Sequence, residues 1–200
     1  MSTARFGQFS TDVARARDLV GLGQSVTGMT VGRVDGSDLF RSALVQAVAA
    51  LDKYVHGVVL DRAVDMLVGR LQTTGASTKV GLHFGAVQAL LTAGSAAQVE
   101  LTARSHIAQR LALETFQRPD DIAKALAMVG VGRIWSTAFA PNSNATTTAL
   151  GVIVGRRNRI VHACDVDPLN PGSVVPLSDS DALDAIGTVE TIVARIDQHC

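Results

Sequence analysis

The feature that most constrains this chain is the spacing of apolar residues between Phe40 and Met66. Phe40, Leu44, Val48, Leu51, Val55, Val58 and Met66 recur at steps of three and four or their sums. That spacing lines one stripe of a helix and cannot line one face of a strand. The run opens after Gly36-Ser37-Asp38, with Ser37 as the expected N-cap and Asp38 at the positive end of the helix dipole. It is expected to reach about residue 70, with Arg62 breaking the stripe late. Alternation of period two persists nowhere, and Val-rich pieces such as residues 150–154 sit inside a longer helical frame.

The rest of the chain reads the same way. Residues 84–91, 96–116, 119–128, 146–163 and 182–197 are helical candidates. Pro119 and two acids open the third of these, and Ser178 or Ser180 caps the last. Near the start, Ser10-Thr11-Asp12 caps a short helix over residues 13–20. Gly21, Gly23, Gly28, Gly32 and Gly36 then break up the stretch, which reads as a loop or fraying arm. It is no phosphate loop, because no Gly-Lys-Ser/Thr follows. Residues 73–79 read as a linker, 141–144 as a loop and 168–176 as a turn-rich loop. The expected fold class is all-α, a bundle of five to seven helices. Residues 1–36 form a weakly specified arm with a short helix, and residues 37–200 form one helical domain.

Composition narrows the function. Hydrophobic residues make up 47% and charged residues 18% of 200 positions, enough for a sizeable core. The 18 basic and 18 acidic residues cancel, which argues against a bulk polyanion binder but not against a local basic patch. Aromatics are only 4%, so a base-stacking sheet is disfavoured. Two cysteines, Cys164 and Cys200, make neither a disulfide framework nor a four-ligand zinc site. His83, His106 and His199 stand isolated, without ligand spacing, so no metal or other cofactor is expected. No signal peptide opens the chain, and polar residues interrupt every apolar run before membrane-spanning length. The expectation is a soluble cytoplasmic protein without a membrane partner.

Chemistry concentrates in Gly155-Arg156-Arg157-Asn158-Arg159-Ile160-Val161-His162-Ala163-Cys164-Asp165. On a helix, Arg157 and His162 differ by roughly 140° about the axis and about 7.5 Å along it. Asn158 and His162, four apart, share a face. The Asn158 amide could hold one imidazole nitrogen, and Asp165 could do the same if the helix continues that far. A histidine that titrates near neutrality and a fixed arginine fork suit RNA cleavage by the RNA's own 2′-OH. By spacing alone a surface helix end with a basic cluster is the weightier reading, because cations are favoured there anyway. Arg156 and Arg159 flank the element as phosphate contacts, though Arg156 could equally pair with an acid inside the fold. Arg41 reads as a buried ion-pair partner. Asp52 and His56, four apart, read either as a supporting pair behind the cleft or as an ordinary helix-surface pair. Cys164 reads as a small packed residue.

Arg157-Asn158-x-x-x-His162 resembles the Arg-x-x-x-x-His signature of HEPN domains. The likeness extends, in order, through Arg41-Ser-Ala-Leu-Val, Leu51-Asp-x-Tyr-Val-His56, Thr115-Phe-Gln-x-Pro119, Ile122 with Ala125-Leu126, Trp135 and Arg156 to Asp165. The set is similar to the subgroup named RiboL-PSP-HEPN and covers about residues 38–198. The resemblance implies a helical bundle that pairs as a homodimer, bringing two such helices together in one composite cleft. It implies a metal-independent endoribonuclease acting in toxin–antitoxin or antiviral defence, with RNA as substrate and an antitoxin or other defence protein as a partner. Carried over, His162 is the acid/base, Arg157 the phosphate clamp and Asn158 the polar orienter. Arg156 and Arg159 become substrate contacts, and Asp52 and Asp165 supporting residues. The competing function is a non-catalytic HEPN-like module that binds RNA or a nucleotide, or serves only to dimerise. The intact Arg157, Asn158 and His162 favour cutting.

Overall fold

A computed structural model describes residues 3–31, 33–73 and 79–200. The architecture is an all-α bundle, 71% helical. In chain order the elements are α1 (Ala4–Met29), α2 (Ser37–Leu67), α3 (Phe84–Leu91), α4 (Ala96–Leu111), α5 (Pro119–Met128), α6 (Ile134–Phe139) and α7 (Ser143–Ala163). A two-stranded hairpin, β1 (Val166–Asp167) and β2 (Asn170–Val174), then leads to α8 (Asp179–Asp197). Eight helices among the described residues exceed the expected five to seven. The helix that the sequence reading missed is α6, too short at six residues to show a period. The hairpin falls where only turns were expected. Residues 74–78 of the expected linker lie outside the described residues, as does Gly32.

The largest departure is at the start of the chain. The 26-residue α1 replaces the expected arm with its short helix. Phe9, Val13, Ala16 and Val20 are buried, at steps of three and four, so α1 belongs to the core with α2 and α8. Gly21, Gly23 and Gly28 lie inside it without breaking it. Gly23 explains one of them: a Cβ there would stand 2.6 Å from Phe40 Cε1 and 3.0 Å from the Gly36 carbonyl oxygen. A Cβ on Gly36 would run into the Gly23 carbonyl. The two glycines let the end of α1 and the start of α2 cross at backbone contact, and that contact outweighs the low helix propensity of glycine.

Polar ties gather at the end of the bundle where α1 begins. Thr3 caps α1 by accepting from the Phe6 amide. Its own amide donates to Asp197 Oδ2 at 3.0 Å, and Tyr54 Oη donates to Asp197 Oδ1 at 2.9 Å. Burial first, then the neighbouring Cys200 and Asp197, pushes the Tyr54 phenol far above its ordinary value, so it stays a donor. Along α2, Asp61 accepts from Arg5 Nε at 2.7 Å and Arg104 Nη1 at 2.7 Å.

Several caps depart from expectation. Gly36 is the N-cap of α2, and Ser37 is its first residue. The Ser37 hydroxyl donates to Asp35 Oδ2 and accepts from Arg41 Nη1, 2.8 and 2.7 Å. α4 stops at Leu111, short of 116, because Phe116 turns inward and is buried. At α8, Ser178 makes a capping box with Asp181. By length and composition α2 could cross a bilayer, yet 61% of its most apolar window is buried inside the bundle.

Candidate functional site

α7 carries Arg157, Asn158 and His162, and it is unusually bare for a long helix. Of its 21 residues only Leu150 and Val154 are buried. Val152 and Val161 are 68% and 46% exposed. Gly151 and Gly155 sit mid-helix with open space where a Cβ would go. Each costs roughly 1 kcal/mol of helix stability against alanine, and no contact within the chain requires either.

The helix ends in an abrupt reversal. Cys164 and Asp165 both adopt left-handed backbone, φ 48° and 54°. Two successive non-glycine residues there store strain of order 1 kcal/mol or more each. The reversal turns the Asp165 carboxylate into the bundle, where it is fully buried. Arg156 reaches Oδ2 through Nε at 3.1 Å and Nη2 at 2.6 Å. Arg41 Nε reaches the same oxygen at 3.2 Å. Arg159 Nε lies 3.7 Å from Oδ1, which has no hydrogen bond. The Arg41 and Arg156 guanidiniums also donate to the Val175 carbonyl, 2.9 and 2.8 Å, so the knot ties α2 and α7 to the segment before α8.

This knot corrects two assignments. Asp165 does not orient His162: the helix stops two residues short of it, and its carboxylate answers to arginines. Arg156 is not a free substrate contact, because its side chain is spent on Asp165 and on the Val175 and Pro176 carbonyls. Arg41 is the buried ion-pair partner that the sequence suggested. Arg159 is about half exposed at 47% and makes no side-chain hydrogen bond among the described residues. Cys164, expected to pack, is exposed.

Asp52 is also structural. Oδ1 accepts from the Phe116 amide at 2.6 Å and Oδ2 from Gln117 Nε2 at 3.4 Å, which anchors the α4–α5 connection on α2. His56 completes the anchor. Its Nδ1 faces the Asp52 carbonyl at 2.8 Å, its Nε2 the Leu111 carbonyl at 3.2 Å, and its ring lies 4.3 Å from that of Phe116. Burial works against the imidazolium, but the Asp52 contacts outweigh it and the His56 pKa is raised. Asp52 is lowered in turn: burial acts upward, and the bonds from His56 and Phe116 overcome it.

The remaining three residues stand together. Asn158 and His162 share one face of α7, one turn apart. Arg157 Nη1 donates to Asn158 Oδ1 at 3.2 Å, so the amide orients the arginine here rather than the imidazole. Arg157 Nε is buried with no partner among the described residues. His162 is exposed on the last turn and takes no hydrogen bond among them. The arrangement offers an imidazole open to proton exchange and an arginine whose fork is held from one side only.

Two features escaped the sequence reading. His83 and His106, taken as isolated, bring their rings edge to face at 5.7 Å. His83 Nδ1 caps α3 through the Ala86 amide, and His106 Nδ1 is buried without a partner among the described residues. The second is a cleft of about 370 Å³ between the start of α5 and the middle of α7, with Arg118 and Asn158 on its walls. Its two sides, residues 118–120 and 147–158, have 26 residues between them in the chain, and the sequence marked the first only as the start of a helix. A larger cavity, about 750 Å³, lies between α7 and α8, and none of Arg157, Asn158 and His162 lines it.

No family model matches the chain, and neither a curated protein nor a solved structure does. The functional reading therefore rests on these residues and on the resemblance they carry.

Proposed function

We propose that this protein is a metal-independent endoribonuclease of HEPN type, working in the cytoplasm as a homodimer in toxin–antitoxin or antiviral defence. The observation that carries the reading is the exposed, unbonded His162 one helical turn from the joined Arg157–Asn158 pair. In the reaction His162 takes or returns a proton while the RNA 2′-oxygen bonds to phosphorus and the 5′-oxygen leaves, giving a cyclic phosphate. Arg157 stabilises the charge that builds on the phosphoryl oxygens. Arg159, half free, adds a further positive charge at the rim.

A single chain leaves this set half-built: nothing among the described residues orients His162, and α7 presents Val152 and Val161 to solvent. A two-fold partner laid along α7 covers those side chains and brings a second Arg157–His162 set to the same cleft. The other reading, a binding or dimerisation module, is favoured by the same missing orienter of His162. The deciding experiment is cleavage of a mixed tRNA and mRNA pool in EDTA by wild type and His162→Ala, with dimer mass checked for both. Cleavage by wild type alone is the expected result. No cleavage by either intact dimer would move the assignment to a binding module.

A further inference from the structure

The cleft between α5 and α7 gathers polar groups that the fold does not use. Arg118 and Asp120 stand on its α5 side, and Thr147, Thr148 and Asn158 on its α7 side. Arg118 is exposed and makes no side-chain hydrogen bond or ion pair among the described residues, and the same holds for Asp120 and the Thr148 hydroxyl. Gly151 and Gly155 also line it and leave the helix backbone bare, with nothing within 4 Å of where a Cβ would stand. A surface that keeps a cation, a carboxylate, a hydroxyl and two unneeded glycines around one cavity is equipped for a polar ligand that comes close to backbone.

Its position says which ligand. Asn158 belongs both to the cleft and to the pair with Arg157. Helical geometry puts Gly151, Asn158 and His162 on one face of α7, over roughly 16 Å of axis. A chain lying across His162 therefore runs on into the cleft. At about 370 Å³ the cavity suits one nucleotide rather than a packed helix.

We propose that this cleft is the subsite for the nucleotide flanking the scissile bond. Arg118 binds its phosphate, Thr148 and Asn158 bond its sugar edge, and Asp120 accepts from a base N–H. The proposal rests on the ribonuclease reading for its substrate. Arg118 is a substrate-binding residue that takes no part in proton transfer.

The test uses the full-length dimer and two readouts. One is cleavage kinetics on an RNA pool; the other is binding of an uncleavable 2′-O-methyl RNA, with wild type, Arg118→Ala, Arg118→Lys and Gly151→Leu compared. Arg118→Ala should raise KM and weaken binding about tenfold, with kcat within about threefold of wild type and the salt slope of binding reduced by about one. Arg118→Lys should restore most of the binding. Gly151→Leu, whose Cβ has open space around it, should fill the cleft and block binding with dimer mass unchanged. Wild-type kinetics and binding in Arg118→Ala would overturn the subsite while leaving the nuclease intact. A Gly151→Leu protein that turns monomeric would overturn it too, assigning the cleft to a second copy of the chain. If wild type binds the uncleavable RNA through Arg118 but cuts nothing, the subsite stands and the nuclease reading falls. If wild type neither binds nor cuts, both fall.

Discussion

Arg156 and Asp165 are nine residues apart, and the reversal at the end of α7 folds one back onto the other through two hydrogen bonds to a single carboxylate oxygen. Arg41 joins them from α2. The signature segment thus contains two kinds of arginine: Arg156, whose donors the fold takes up, and Arg157 and Arg159, which keep donors without partners among the described residues. Asp165→Asn removes the only negative charge buried among them. It should destabilise the protein by about 3 kcal/mol or more, since it leaves desolvated guanidinium unpaired. Arg159→Ala, at a half-exposed and longer contact, should change stability by less than about 1 kcal/mol. Urea midpoints of the two variants measure the contrast; equal effects would remove Asp165 from the core.

The His56 anchor should respond to pH. Both ring nitrogens face carbonyl oxygens, so both bonds need the doubly protonated ring. A pKa raised by folding means the contribution is complete below the ordinary histidine value of about 6.5 and is lost as pH rises through the folded value. Asp52, lowered by folding, contributes above the ordinary carboxylate range and loses its share as pH falls through its own folded value. The stability gap between wild type and His56→Gln should be largest near pH 6 and narrow toward pH 9. A gap that is flat with pH would refute the charged anchor.

His162→Ala should abolish cleavage, a loss of at least about a hundredfold for an acid/base residue. Because the ring is exposed and unbonded, its thermal midpoint should stay within a few degrees of wild type. Circular dichroism melting beside the cleavage assay tests both halves. A collapse of folding would make His162 structural.

Two glycines in helices should behave oppositely. Gly23→Ala places a methyl against Phe40 and the Gly36 carbonyl, so it should destabilise despite alanine's better propensity. Gly151→Ala meets nothing and should stabilise by up to about 1 kcal/mol. Thermal denaturation of both variants reads the signs.

Under the proposed mechanism activity should survive EDTA, since the proton transfer assigned to His162 and the charge stabilisation assigned to Arg157 need no metal. Loss on chelation that added divalent metal restores would overturn this mechanism.

The helical class, the bounds of α3 and α5, the apolar stripe of α2 and the grouping of Arg157, Asn158 and His162 were legible because each depends on neighbours within a turn or two of helix. Periodicity and caps are local facts. What depends on distant partners was not. The arm read from Gly21, Gly23 and Gly28 is a core helix, since its glycines meet α2 rather than solvent. Asp52 and Asp165 looked like supports for a histidine, and their bonds go to Phe116 and to Arg41 and Arg156. The cleft at Arg118 joins two segments with 26 residues between them. The sequence by itself determined the helical class and which residues are candidates for chemistry. Only the tertiary structure decided which charges the fold consumes and which it leaves facing out, because a buried charge must find its partner wherever the bundle brings one.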